Sequence, residues 1–128
     1  MPGTAWRTLT CRAGSAVLSA DRDLLKELLE NLIQNAIQYN RENGTILVRT
    51  GQKNAGPFLS VQDSGIGIPK DQRERIFERF YRVDKSRSRE TGGTGLGLAI
   101  VKHIAEIHDA EISVDSEPGK GTLIKVLF

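Results

Sequence analysis

Hydrophobic and polar positions change period several times along this chain, and each change marks an element. Leu25, Leu28, Leu29, Leu32 and Ala36 recur at helical spacing and form one arc. Asp21 or Asp23 can cap that helix, which is expected to run to about Tyr39. The turn-rich run Asn40-Arg41-Glu42-Asn43-Gly44 stops it. Residues 45–50 and 58–63 alternate as a strand pair joined across 51–57. Ser64 to Ile68 reads as a loop, and Pro69 with Asp71 opens a second helix to about Phe77. From Tyr81 to Gly93 there is no period and much charge, so a loop is expected. A third helix starts near Gly95 and runs to about His108. Residues 112–114 and 122–128 close the chain as a hairpin around Glu117-Pro118-Gly119-Lys120-Gly121. Residues 8–11 and 16–19 read as short strands ahead of the first helix.

That order predicts an α+β fold, a two-layer α/β sandwich. About three helices would cover one face of a mixed, mostly antiparallel sheet. A chain of 128 residues suits one domain over 1–128 with one real core. Met1-Pro2-Gly3 reads as an added start and is set aside. Charged residues are 27% and the apolar set 38%, which excludes a disordered or membrane-embedded chain. No apolar run is long enough to span a bilayer, and no secretory signal opens the sequence. The single cysteine, Cys11, rules out an intrachain disulfide and fits a reducing, cytoplasmic setting. One Cys and two His also argue against a zinc or iron–sulfur centre.

The net charge of +2 implies no acidic partner, but its distribution is uneven. Arg73, Arg75, Arg79, Arg82, Lys85, Arg87 and Arg89 interleave with Asp71, Glu74, Glu78, Asp84 and Glu90. The near balance favours ion pairs on a solvated face over nucleic-acid binding.

Candidate chemistry starts on the first helix. Asn31, Asn35 and Gln38 fall within about 60° of one another beside the apolar arc, facing a cleft between helix and sheet. Amide oxygens are hard, neutral ligands suited to magnesium already bound to phosphates. Equally, each amide can satisfy nearby backbone. In Asp63-Ser64-Gly65-Ile66-Gly67-Ile68-Pro69 a strand ends on a carboxylate above a glycine turn. A carboxylate accepts only, so it selects a donor such as adenine's amino group and repels guanine's carbonyl. Gly65 and Gly67 let backbone approach a flat ring, although an ordinary Asp-Ser-Gly turn would look the same. Gly92-Gly93-Thr94-Gly95-Leu96-Gly97-Leu98 leads into the third helix, where free N–H groups can meet phosphate oxygens. It is neither a Rossmann fingerprint nor a P-loop. Gly119-Lys120-Gly121-Thr122 alone is a plain hairpin turn.

Taken in order, these segments resemble the ATP-binding catalytic domain of bacterial sensor histidine kinases. Its superfamily includes the gyrase, heat-shock chaperone and mismatch-repair ATPases. The resemblance runs from about Asp21 to Phe128, and residues 1–16 match poorly. Asn31-Leu32-Ile33-Gln34-Asn35-Ala36 is similar to the asparagine box, and Asp63 to Ile68 to the first glycine box. Ile76-Phe77-Glu78-Arg79-Phe80-Tyr81-Arg82-Val83-Asp84 matches the phenylalanine box. Gly93-Thr94-Gly95-Leu96-Gly97-Leu98 and Gly119-Lys120-Gly121-Thr122 match the later glycine boxes.

The resemblance implies a Bergerat-type ATP-binding fold and the cofactors ATP and Mg2+. It makes Asn35 the magnesium ligand, assisted by Asn31, and Asp63 the adenine acceptor. Gln38, Tyr39, Gly65, Gly67, Ile68 and Thr122 would line the nucleotide pocket with the residues of the 93–98 cluster. Residues 69–93 would form a lid, with Arg82 and Arg87 reaching the γ-phosphate and Phe77 and Phe80 packing the lid on the body. Hydrolytic relatives carry a glutamate where this chain has Asn31; an asparagine cannot activate water, which points to phosphate donation. Glu30, the neighbouring acid, is turned about 100° away.

Two departures from the family matter. Gln38 stands where many members have lysine, and His108-Asp109-Ala110 replaces His-Gly-Gly after the third helix. His103 and His108 lack the acceptor context and read as structural. The phosphoacceptor would therefore belong to a separate histidine-bearing dimerisation domain of the parent kinase, with a response regulator as indirect partner. The domain itself would make no nucleic-acid or membrane contact, while the parent could be anchored in the cell membrane. A non-catalytic nucleotide-binding module and an anti-sigma-type serine kinase on the same fold are the alternatives.

Overall fold

The computed structural model describes residues 8–13, 20–53, 56–79, 81 and 97–128. Its strands are β1 (Thr8–Ala13), β2 (Thr45–Lys53), β3 (Gly56–Asp63), β4 (Glu111–Glu117) and β5 (Gly121–Leu127). Among the described residues the α-helices are α1 (Arg22–Gln38) and α2 (Gly97–Ile107). The sheet order is β1-β2-β3-β5-β4; β1 and β2 run parallel and every other pair is antiparallel. The mixed, mostly antiparallel sheet expected from the sequence is therefore present.

α1 begins where the capping chemistry puts it. The Asp21 carboxylate accepts the N–H groups of Asp23 and Leu24, both at 3.0 Å, satisfying two donors of the first turn. Leu28, Leu32 and Ala36 bury one stripe of the helix, and Leu29 packs beside it. α2 contributes Leu98, Val101, Ile104 and Ala105. The sheet answers with alternate positions: Ile46 and Val48 from β2, Leu59 and Val61 from β3, Ile124 and Val126 from β5. Period 3.6 on the helices and period 2 on the strands thus converge on one core.

Three expectations need correction. The second helix is two separate 3₁₀ turns, Lys70–Gln72 and Arg75–Phe77. Their closing bonds join Gln72 to Pro69 (2.9 Å) and Glu78 to Arg75 (2.9 Å). So short a segment cannot repay α-helix nucleation, and its apolar residues Ile76 and Phe77 are held by packing on the core instead. The β2–β3 connection is also tighter than 51–57. Gly51 pairs with Phe58 and Gln52 with Pro57, because a glycine leaves room under the Phe58 ring. The closing hairpin is longer as well, since β4 continues to Glu117 and pairs it with Gly121. Of the early strands, 8–11 extends to Ala13, while 16–19 lies outside the described residues.

α2 ends in a left-handed stop. Asp109 takes φ 54°, and the Ala110 N–H reaches back to the Ala105 carbonyl at 2.8 Å. His108 ties the helices together. Its Nδ1 lies 2.8 Å from the Ile104 carbonyl oxygen, so Nδ1 carries the proton; Nε2 then accepts the Asp21 N–H at 3.1 Å. Both ring nitrogens are used structurally. No helix among the described residues is long and apolar enough to cross a membrane.

Candidate functional site

Alternation along the strands puts chemistry at one end of the core face. Asp63 follows Leu59 and Val61 at a spacing of two, Thr122 precedes Ile124 and Val126, and Ser116 follows Ile112 and Val114. The register then aligns them across three strands: Asp63 pairs with Thr122, and Thr122 with Ser116. All three are buried, closing the hydrophobic face with a polar row.

Asp63 is the charged member. Its Oδ1 accepts the Gly65 N–H at 2.8 Å, and the Thr122 backbone N–H also donates to the carboxylate. Burial outweighs both bonds and pushes its pKa up from 3.8 to about 6. Backbone donors hold the carboxylate without neutralising it, so it keeps acceptor capacity for a further donor.

The glycine loop after Asp63 is clamped from both sides. A side chain at Gly65 would overlap the Tyr39 carbonyl oxygen, the same oxygen that accepts the Ile66 N–H at 3.1 Å. Gly67 has φ 75° and lies against the Glu117 carbonyl, so any other residue there meets both backbone strain and overlap. The Ile68 N–H donates to Ser116 Oγ at 2.8 Å, while the Ile68 side chain joins the core.

Sequence reasoning missed the anchor of this loop. Asn40, fully buried just beyond α1, donates from Nδ2 to the Thr45 carbonyl at 3.0 Å. Its Oδ1 accepts the Arg41 N–H at 2.9 Å and faces Ser64 Oγ at 3.3 Å, and Ser64 Oγ accepts the Thr45 N–H at 2.7 Å. The signal available was an asparagine in a turn followed by a serine after the strand, and it reads as ordinary turn composition.

The three amides of α1 meet different fates. Asn31 Nδ2 donates to the Glu27 carbonyl at 2.8 Å, the local backbone bond that competes with function. Its Oδ1 is left facing Gly97 at the start of α2, close enough that an added Cβ there would lie 3.2 Å away. Asn35 is half-buried, and no described residue hydrogen-bonds its amide. Gln38 is buried, and Tyr39 is half-buried at the helix end. Leu98 and Phe77 lie in or against the core, so Phe77 does pack this segment on the body. Phe80, Arg82, Arg87, Gly93, Thr94, Gly95 and Leu96 lie outside the described residues.

The basic stretch divides. Arg75 pairs with Glu78 at 3.6 Å and lies 4.5 Å from the centre of the Tyr81 ring, as a solvated face predicts. Arg73 departs from that expectation. It is half-buried, its guanidinium donates to the Ser116 carbonyl, and its Nε is buried without a partner among the described residues. The described residues contain no cluster of His, Cys, Asp or Glu able to hold a metal ion. Neutral amide oxygens at Asn35 and Asn31 remain, a donor set that fits a magnesium ion whose charge is met by phosphates rather than by protein carboxylates.

Residues 20–128 match the family described as histidine kinase-, DNA gyrase B-, and HSP90-like ATPase. Sensor histidine kinase YkoH of Bacillus subtilis is 49% identical over 114 residues, which is 89% of this chain and 25% of that protein. Among solved structures, a mycobacterial sensor histidine kinase, MprB, superposes with a TM-score of 0.84 at 30% identity, covering 95% of this chain and 82% of that one. Full-length ShkA in complex with AMPPNP superposes with a TM-score of 0.77 at 30% identity, covering 95% of this chain and 25% of that one. The chain spans about a quarter or less of the length of curated relatives such as YkoH and WalK of Bacillus subtilis, 25% and 17% respectively.

Proposed function

Because the chain belongs to the histidine kinase-, DNA gyrase B-, and HSP90-like ATPase family, we propose that it binds Mg-ATP and donates the γ-phosphate to a histidine on a separate domain of a sensor kinase. The observation that carries this reading is the buried Asp63 carboxylate, held at the end of the core face by the backbone N–H groups of Gly65 and Thr122. Such a group recognises a donor in a dry, flat slot, and the adenine amino group supplies one. The glycine loop, with Gly65 packed on the Tyr39 backbone and Gly67 on the Glu117 backbone, would edge the base, with Tyr39, Gln38 and Thr122 around it.

Asn35 and the free oxygen of Asn31 would hold magnesium beside the phosphates. Bound there, the ion neutralises charge that builds on the phosphate oxygens during transfer. Residues 69–93 form the lid in this reading, with Arg82 and Arg87 supplying further positive charge. Phe77 holds the start of the lid against the core. Residues 1–128 then act as one ATP-binding unit, and acceptor and response regulator belong to other parts of the system.

Donation is favoured over hydrolysis by the α1 geometry. The Asn31 amide is not a base, and its nitrogen is tied to Glu27. Glu30 turns to solvent and faces Lys26 at 3.9 Å. Neither can activate a water at the phosphate.

Calorimetry with a non-hydrolysable ATP analogue, with and without magnesium, tests the reading. Magnesium-linked binding with ATP preferred over GTP is expected, followed by phosphate transfer from ATP when a histidine-bearing helical hairpin from a related kinase is added. Nucleotide binding that ignores magnesium and yields no transfer would leave a non-catalytic binding module.

A further inference from the structure

Ser116 lies outside the asparagine, phenylalanine and glycine boxes, yet it stands at the junction of three segments of the site. Its hydroxyl is buried and makes three contacts: the Ile68 N–H at 2.8 Å, the Gly121 carbonyl at 2.9 Å and Thr122 Oγ1 at 2.8 Å. A hydroxyl has one proton and two acceptor sites. Ile68 can only donate and takes one acceptor site. Gly121 can only accept and takes the proton. The Thr122 contact must then use the remaining acceptor site, so Thr122 is the donor.

Thr122 therefore spends its only proton on Ser116 and keeps lone pairs for the pocket. Directly opposite residues on antiparallel strands share a face, so those lone pairs lie on the same side as the Asp63 carboxylate. From this proton count we infer that Ser116 is a specificity-determining positioning residue, which makes the Thr122 hydroxyl, like the Asp63 carboxylate beside it, a wall that accepts hydrogen bonds at the base end of the pocket. A purine with an amino group at its 6-position fits that wall, and one with a carbonyl there does not. The inference rests on the adenine reading of Asp63.

Removing the Ser116 hydroxyl releases the Thr122 proton. It can then turn to Asp63, weakening the acceptor that adenine needs, or to a 6-carbonyl, rewarding the wrong base. Both outcomes lower the preference for ATP over ITP, whose base carries that carbonyl.

The test is the ratio of ATP to ITP affinity, measured by calorimetry on the whole chain for wild type, Ser116→Ala, Ser116→Thr and the double variant Ser116→Ala/Thr122→Val. Ser116→Ala is expected to lower the ratio by about five- to tenfold, the worth of one neutral hydrogen bond. Ser116→Thr keeps the hydroxyl and should keep the ratio. Adding Thr122→Val to Ser116→Ala deletes the released proton and should recover at least half of the lost selectivity, an effect no purely structural role produces. Should Ser116→Ala fail to fold, Ser116→Cys, with its poor acceptor sulfur, is expected to lower the ratio in the same direction. Equal losses of ATP and ITP affinity in Ser116→Ala, or further loss in the double variant, would overturn the inference while leaving Asp63 in its role. A wild type that does not prefer ATP to ITP would overturn both.

Discussion

Asp63 sets a requirement of function against one of stability. Its folded pKa of about 6 lies above the unfolded value of 3.8, so the fold favours the protonated form. Its contribution to stability is therefore greatest below pH 3.8 and is lost as pH rises to about 6. Above that point the ionised group costs about 3 kcal/mol, taking roughly 1.4 kcal/mol per pKa unit. An asparagine at this position would still accept the Gly65 N–H without carrying a charge. Asp63→Asn is accordingly expected to stabilise the nucleotide-free protein by about 1–3 kcal/mol at pH 7.5, with the gain vanishing towards pH 4. Denaturant melts at the two pH values check this. The same substitution should cut the ATP-over-GTP preference, by up to about 10⁴-fold. A variant that is both less stable and equally selective would contradict both halves.

Asn35 offers the opposite case. Its amide has no hydrogen-bond partner among the described residues, so the fold owes it little. Asn35→Ala should leave the melt of the nucleotide-free protein within about 0.5 kcal/mol of wild type. It should also abolish the magnesium dependence of ATP binding in calorimetry.

At the scale of elements, glycine turns and helix ends decide how closely segments approach. The Asp109 stop of α2 holds a non-glycine residue at φ 54°, a conformation that favours glycine. A β-carbon in the left-handed region costs about 1 kcal/mol. Asp109→Gly should therefore raise stability by about 0.5–1 kcal/mol, since part of that gain is offset by the freer unfolded chain. Chemical denaturation would show it, and nucleotide affinity should not move, because the stop lies at the Asp21 end of α1 and away from Asp63. The two 3₁₀ turns teach a related lesson. Pro69 and Asp71 are good helix openers, but an opener cannot make a helix when the following segment offers only Ile76 and Phe77 to the core.

For the whole molecule, α1 and α2 bear on one face of the sheet, and the proposed nucleotide site lies between elements far apart in sequence. Ligand binding to the folded state alone must then stabilise the entire fold. At about 100 times the dissociation constant the gain is roughly 2.7 kcal/mol. A thermal melt with ATP and magnesium should rise by several degrees for a domain of this size. ATP without magnesium should raise it less. An unchanged melt under saturating Mg-ATP would contradict the proposed site.

Much of this was legible in the linear chain. Leu28, Leu32 and Ala36 mark the buried stripe of α1 by spacing alone, and the alternation of Leu59, Val61 and Asp63 already puts a carboxylate on the core face. The order of asparagines, Asp63 and glycine clusters led to the family, because each motif needs the others to make a pocket. The hydrogen-bonded companions stayed hidden. Asn40, Ser64 and Arg73 are common polar residues that carry no local period, while Ser116 and Thr122 alternate with apolar neighbours, which gives their face but not their partners. Their meaning comes from strand register, which brings Asp63, Thr122 and Ser116 into one row. Periodicity is a property of neighbours in the chain, so sequence alone determines faces, caps and motif order. Which donor meets which acceptor depends on contacts between distant segments, and only the folded sheet decides it.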